Sequence, residues 1–129
     1  MKSRDNQLRL KHFQVEDKTR QLTQIDLMIG EFTRMSDELD AQIRIEEERS
    51  GISDPGHFAY PTFAKAARQR RDNLAGSIRD LKVKRQGAED ALAEAEEALK
   101  KAQLLDSRDA TGAADVAVDR MVERRAMIG

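Results

Sequence analysis

The apolar residues of the first half of the chain keep an alternating three-four spacing. Leu22, Ile25, Ile29, Phe32, Leu39 and Ile43 fall on heptad positions a and d, and Ser36 is the one polar residue among them. Carried back by whole heptads, the same phase reaches Leu8 and Val15, with Lys11 and Lys18 interspersed. No proline precedes Pro55, and Gly30 is the only helix-weakening glycine in the stretch. The spacing predicts one helix over residues 8–49, roughly 60 Å long at about 1.5 Å per residue.

A second series mirrors the first. Tyr60, Ala64, Ala67, Arg71, Leu74, Ile78, Leu81, Arg85, Ala88, Leu92, Ala95, Leu99 and Ala102 carry the same a/d phase. Alanine fills the d positions after Leu81 and lets two helix backbones approach closely. The predicted helix covers residues 61–105, with Pro61 in its first turn, where a missing N–H costs nothing. Beyond it, Ser107 to Asp109 and Thr111-Gly112 weaken the pattern. Residues 107–129, with Val118, Met121, Val122 and Ile128, form either a short amphipathic helix or a mobile, weakly ordered tail.

Folding the chain back on itself sets residue i of the first helix opposite roughly residue 110 − i of the second. Ile43 then meets Ala67, Phe32 meets Ile78, Ile29 meets Leu81 and Leu8 meets Ala102, while Leu39 meets Arg71 and Ile25 meets Arg85. Each a residue meets a d residue, and no two polar seam residues coincide; a slip of one heptad either way is the alternative. Charge agrees with the direction. The basic N-terminal stretch (Lys2, Arg4, Arg9, Lys11) lies beside Glu89, Asp90, Glu94, Glu96 and Glu97. Nearer the middle, Glu38, Asp40 and Glu46 to Glu48 face Lys65, Arg68, Arg70 and Arg71. Exposed pairs contribute only about 0 to 1 kcal/mol each, so they specify direction more than they add stability. ISDPGHFAYP, residues 52–61, is then the bend of an antiparallel hairpin near residues 51–61, with Asp54 as a cap before Pro55. The fold class is all-α: an antiparallel two-helix coiled-coil hairpin within residues 1–106.

Composition narrows the function classes. With 36% charged and 4% aromatic residues the chain cannot build a wide globular core. Lys plus Arg, 23, nearly balance Asp plus Glu, 24, so no overall field favours nucleic acid or acidic lipid. The absence of cysteine removes disulfides and thiolate chemistry. No apolar run is long enough to span a bilayer and no signal-peptide core is present, which points to the cytoplasm.

Catalytic, metal-binding and cofactor chemistry is not expected. His12 and Glu16, four apart on one helix face, lack a third ligand, and His57 in the bend has no nucleophile or paired carboxylates around it. Arg68, Arg70 and Arg71 could follow a nucleic-acid backbone, but without interleaved aromatics they read as partners of the facing acids. Two interaction ends remain. Leu10, Phe13, Leu104 and Leu105 lie off or at the margin of the seam at the open end; Phe58, Tyr60 and Phe63 cluster at the bend, and Met28 and Met35 flank the middle. Such residues are either a widened seam and ordinary surface or docking sites.

The strings RLKHFQVEDKTRQ, SDPGHFAYPTFAKAARQRRDNL and ALKKAQLLDSRD resemble the alphaproteobacterial branch of the flagellar export protein FliJ family, over nearly the whole chain to about Asp109. The bend string is the specific part. The resemblance implies an antiparallel coiled coil, similar to the stalk of the rotary ATPase gamma subunit, that inserts into the hexameric flagellar export ATPase and promotes its assembly and turnover without hydrolysing anything itself. It further implies contact with the cytoplasmic linker of the export gate, service to export chaperones, and a cytoplasmic place peripheral to the inner-membrane export apparatus. By position, the ring-binding end maps onto Leu8, Leu10, Phe13, Val15, Leu99, Leu104 and Leu105, and the gate-binding patch onto Leu39, Ile43, Tyr60, Phe63 and Ala67. Where relatives carry aromatics late in the first helix, this chain has Glu46 to Arg49. A general coiled-coil chaperone or adaptor for export clients is the rival reading, and a nucleic-acid-binding arm a third.

Overall fold

The computed structural model describes the backbone of residues 2–128 and the side chains of residues 3–112. Two helices, α1 (Lys2–Ser50) and α2 (Thr62–Ile128), pack against each other, and no strand occurs among the described residues. Both helices outrun their expected bounds. α1 begins at Lys2 rather than near residue 8, and α2 passes residue 105 without a break at Thr111-Gly112. A single glycine costs a helix only about 1 kcal/mol, and no proline follows Pro61 to force an end. The side chains of Val118, Met121, Val122 and Ile128 lie outside the described residues.

The chain divides into two units, Met1–Thr19 with Asp90–Gly129, and Arg20–Glu89. In the second, which holds the bend, Ile43, Tyr60, Ala64, Ala67 and Leu81 form the buried core. Leu22, Ile25, Ile29, Phe32, Ser36 and Leu39 on α1, with Leu74 and Ile78 on α2, are half-buried. All are the predicted a/d positions. Ala64, wholly inaccessible, leaves room only for a close helix crossing, which explains why alanine and not leucine stands there. In the unit of the termini the seam is thinner. Leu8, Val15, Leu92, Ala95, Leu99 and Ala102 are half-buried, and none of its described residues is fully buried. Leu8 and Ala102 line one groove, as the fold-back register requires, and Arg4 pairs with Asp109 beyond the expected helix ends.

Register in the bend-side unit is set by charge inside the seam. Arg71 and Arg85 occupy a positions of α2 and would dilute an apolar layer, yet each reaches an acid at an e position of α1. Arg71 Nη1 donates to Asp40 at 2.9 Å. Arg85 forks onto both oxygens of Asp26, with Nη2 to Oδ2 at 3.3 Å, and also pairs with Glu89. The two arginines and the two aspartates are each two heptads apart. The e positions one heptad away from the aspartates, Thr19 and Thr33, send their hydroxyls to the carbonyls of Val15 and Ile29. A slip of one heptad therefore leaves Arg85 facing a threonine in either direction. Arg71 finds an acid in one direction only, Glu47. The alternative register is thus disfavoured by unpaired cations in the seam.

The bend is closed by its own hydrogen bonds. Gly51, at φ 72°, takes the left-handed conformation that terminates α1, and its N–H donates to Glu47 O at 2.9 Å. Asp54 does not cap a helix; it opens a turn. Its carboxylate accepts from Gly56 N at 2.9 Å and its carbonyl accepts from His57 N at 3.0 Å, with Pro55 and Gly56 between. Pro61 precedes the first turn of α2 rather than sitting inside it, since its carbonyl accepts from Lys65 N at 3.0 Å.

Candidate partner-binding surfaces

In the unit of the termini, α1 carries Leu10 and Phe13 at heptad positions c and f, pointing away from the seam, and both are exposed. α2 carries Leu104 at f and Leu105 at g, also exposed. Leu104 and Leu105 line a groove of about 380 Å³ with Lys101 and Arg108, and Leu105 with Leu8 lines another of about 240 Å³. Leu8, Val15 and Leu99 are seam residues and half-buried. The expected ring-binding set therefore splits into a seam that supports the helices and four apolar side chains presented outward on both helices.

The bend-side set splits in the same way. Ile43, Tyr60 and Ala67 are buried, Leu39 is half-buried, and Phe63 is exposed. Leu39, Phe63 and Ala67 do come together, lining a groove of about 190 Å³ with Gln42, Ala66 and Arg70. A neighbouring groove of about 350 Å³ adds Met35, Glu38, Asn73 and Leu74. Of these additions Met35 stood out in the sequence as an off-seam residue, while Leu74 belongs to the seam and Glu38 to the facing acids. The signal for this flank was the g positions of α1: Gln21, Met28, Met35 and Gln42 carry no charge, whereas the e positions Asp26, Asp40 and Glu47 are acidic. One flank of the bend-side seam is bridged by ion pairs, and the other is lined by amides and thioethers. No family model, curated protein or solved structure matches the chain. The surfaces rest on the residues themselves.

Tyr60 ties the bend to both helices. Its hydroxyl donates to Glu47 Oε1 at 2.8 Å and accepts from Arg68 Nε at 3.0 Å, and Arg68 Nη2 donates to the same Glu47 oxygen at 3.2 Å. The Tyr60 hydrogen bond, with help from Arg68 and against some burial, holds the Glu47 carboxyl below its ordinary value of 4.5. Arg85, chiefly by its hydrogen bond, likewise holds Asp26 below 3.8. A carboxyl depressed in the folded state stabilises the fold above its unfolded value, and that contribution disappears as pH falls through the folded value. Helicity followed by circular dichroism is therefore expected to stay level from pH 7 to about 5 and to fall only below the ordinary carboxylate range. In Tyr60→Phe, Glu47 loses its main hydrogen bond and the acid loss starts at higher pH. An unshifted acid limb in that variant would remove Tyr60 from the linkage.

Against this clamp Phe58 stands 97% exposed at the bend, its ring stacked on His57 at 4.7 Å between centroids. His57 Nδ1 accepts from Ala59 N at 3.0 Å, which fixes the backbone beneath the stack. Among the described residues no group of three potential metal ligands occurs, and no helix is long and apolar enough to cross a membrane.

Proposed function

We propose that the hairpin is a non-enzymatic component of flagellar protein export, of the FliJ kind. In this reading the unit holding both chain ends inserts into the hexameric export ATPase and favours its assembly and turnover, while the bend side contacts the cytoplasmic linker of the export gate. The observation that carries the reading is the placement of Leu10 and Phe13 on the outward face of α1 and Leu104 on the outward face of α2. A helix pair lying on a flat partner needs apolar groups on one side only. A pair surrounded by subunits uses both outward faces, and this unit has them. The bend string and the antiparallel pairing support the same reading. The protein works in the cytoplasm, at the membrane only through the export apparatus, and acts by contacting one arrangement of ring subunits better than another, since only differential contact shifts such an equilibrium.

The test is Leu10→Ala combined with Phe13→Ala. Neither side chain is in the seam, so helicity stays close to that of the parent. The concentration needed to stimulate the ATPase rises about tenfold or more, as expected when two interface anchors worth about 1 kcal/mol each are truncated. Unchanged stimulation would remove the open end from the mechanism. Binding of export clients without co-sedimentation with the ATPase would favour the chaperone or adaptor reading, and salt-dependent retention of RNA the nucleic-acid arm.

A further inference from the structure

We propose that the amide and thioether flank of the bend-side unit is a docking groove for a single amphipathic helix that carries acidic residues along the edge lying over α2. The inference deepens the bend-side half of the proposed function, on which it rests for its cellular setting; the chemistry of the groove stands on the observations that follow. Met35, Leu39 and Leu74 give the groove an apolar floor. Two flexible thioethers one heptad apart, Met28 and Met35, are both exposed on this flank and can repack around a third helix.

Charge identifies the occupant. Arg71 and Arg85 are satisfied by Asp40 and Asp26 on the opposite flank. The residue beside each of them in sequence is also cationic, Arg70 and Lys84, and these fall on the g positions of the groove side, with Arg70 lining it. Neither enters an ion pair among the described residues. Across from them, α1 offers Gln42, Met35 and Met28, none of which can neutralise a cation. Arg70 and Lys84 are two heptads apart, about 21 Å along the helix, so a helix laid in the groove can meet both with acids at the same spacing. The α1 rim is different, because Glu38 lines it. The matching helix is therefore acidic on one edge and basic or neutral on the other.

A second copy of the chain fits less well. With α1 over α1, the acidic rims meet, and the Arg70 and Lys84 rows meet each other. Like charges so placed oppose association.

The experiment uses the full chain and two synthetic helices four heptads long, with leucine at every a and d position. One carries glutamate along one edge and lysine along the other; the second carries lysine along both. Fluorescence anisotropy is expected to show the mixed helix binding about tenfold tighter, the difference that two rim pairs made or replaced by repulsion produce, and the gap narrows with salt. In Arg70→Glu with Lys84→Glu the order of the two helices reverses, and Met35→Glu weakens both while circular dichroism stays unchanged. Equal binding of the two helices, or an order unaffected by the charge reversal, overturns the proposal. So does concentration-dependent self-association that Met35→Glu abolishes, which would assign the flank to a second copy. Neither ring nor gate is present in this assay. Lost ATPase stimulation in the open-end variant therefore bears on the proposed function alone, and lost peptide discrimination on the groove alone.

Discussion

Ile43→Ala is expected to lower the stability of the hairpin by about 2 to 3 kcal/mol, the lower part of the usual range for such a truncation because two helices can close partly on the space left behind. Ile43 is 4% exposed and is one of five buried residues among those described, with Tyr60, Ala64 and Ala67 also beside the bend. No other large aliphatic side chain on α1 is buried there to share the loss. Against a total stability of about 5 to 15 kcal/mol for ordinary domains, and less for a two-helix seam this thin, the change removes a large part of the whole. Denaturant titration should show the midpoint falling, with Ile43→Val losing about 1 kcal/mol. Ile45→Ala, two residues away on the outward face and half-exposed, should stay within about 0.5 kcal/mol of the parent. Equal losses at 43 and 45 would mean that the seam phase is wrong.

The second large effect comes from reversing the two seam aspartates. Asp26→Lys with Asp40→Lys places new cations against Arg85 and Arg71, whose guanidinium groups sit partly inside the helix pair. Both pairs are partly exposed, so losing one costs only about 1 kcal/mol or less, and replacing the acid by a like charge adds repulsion. The reversed protein is expected to lose most of its helicity at a temperature where the parent keeps it. Adding Arg71→Glu and Arg85→Glu restores opposite signs and should recover part of the thermal midpoint, only part because the new lysines lack the planar fork with which arginine meets a carboxylate. No recovery in the fourfold variant would show that the ion pairs do not set the register.

These two experiments mark what could be read in advance and what could not. The three-four spacing located the seam because half-burial at two residues in every seven is all that a two-helix coil asks of a sequence, and even Lys11, Lys18, Arg71 and Arg85 proved half-buried where the phase placed them. The role of the arginines was not legible from that pattern. It depends on which flank their long side chains turn to, and only the three-dimensional pairing shows Asp40 and Asp26 receiving them. Gly51 escaped notice for a related reason. The two prolines and Gly56 mark the turn in the sequence, while the positive φ that ends α1 belongs to Gly51, five residues before Gly56. The candidate surfaces were half legible. Hydrophobicity off the seam located Leu10, Phe13, Leu104 and Leu105, but mapping by position also gathered Ile43, Tyr60 and Ala67, which the fold uses as core.

The self-contained bend has a consequence for how the chain assembles. Its turn, the Tyr60 link between Glu47 and Arg68, and the buried residues beside it all join groups close in sequence, so the loop-closure entropy of the first contact is small. Each later layer adds only a few residues to a loop already shut. The helices are thus set to zip outward from residue 51, quickly and along one route, as expected of a topology rich in local contacts. The chain ends, which the export reading sends into the ATPase, are the last to be joined.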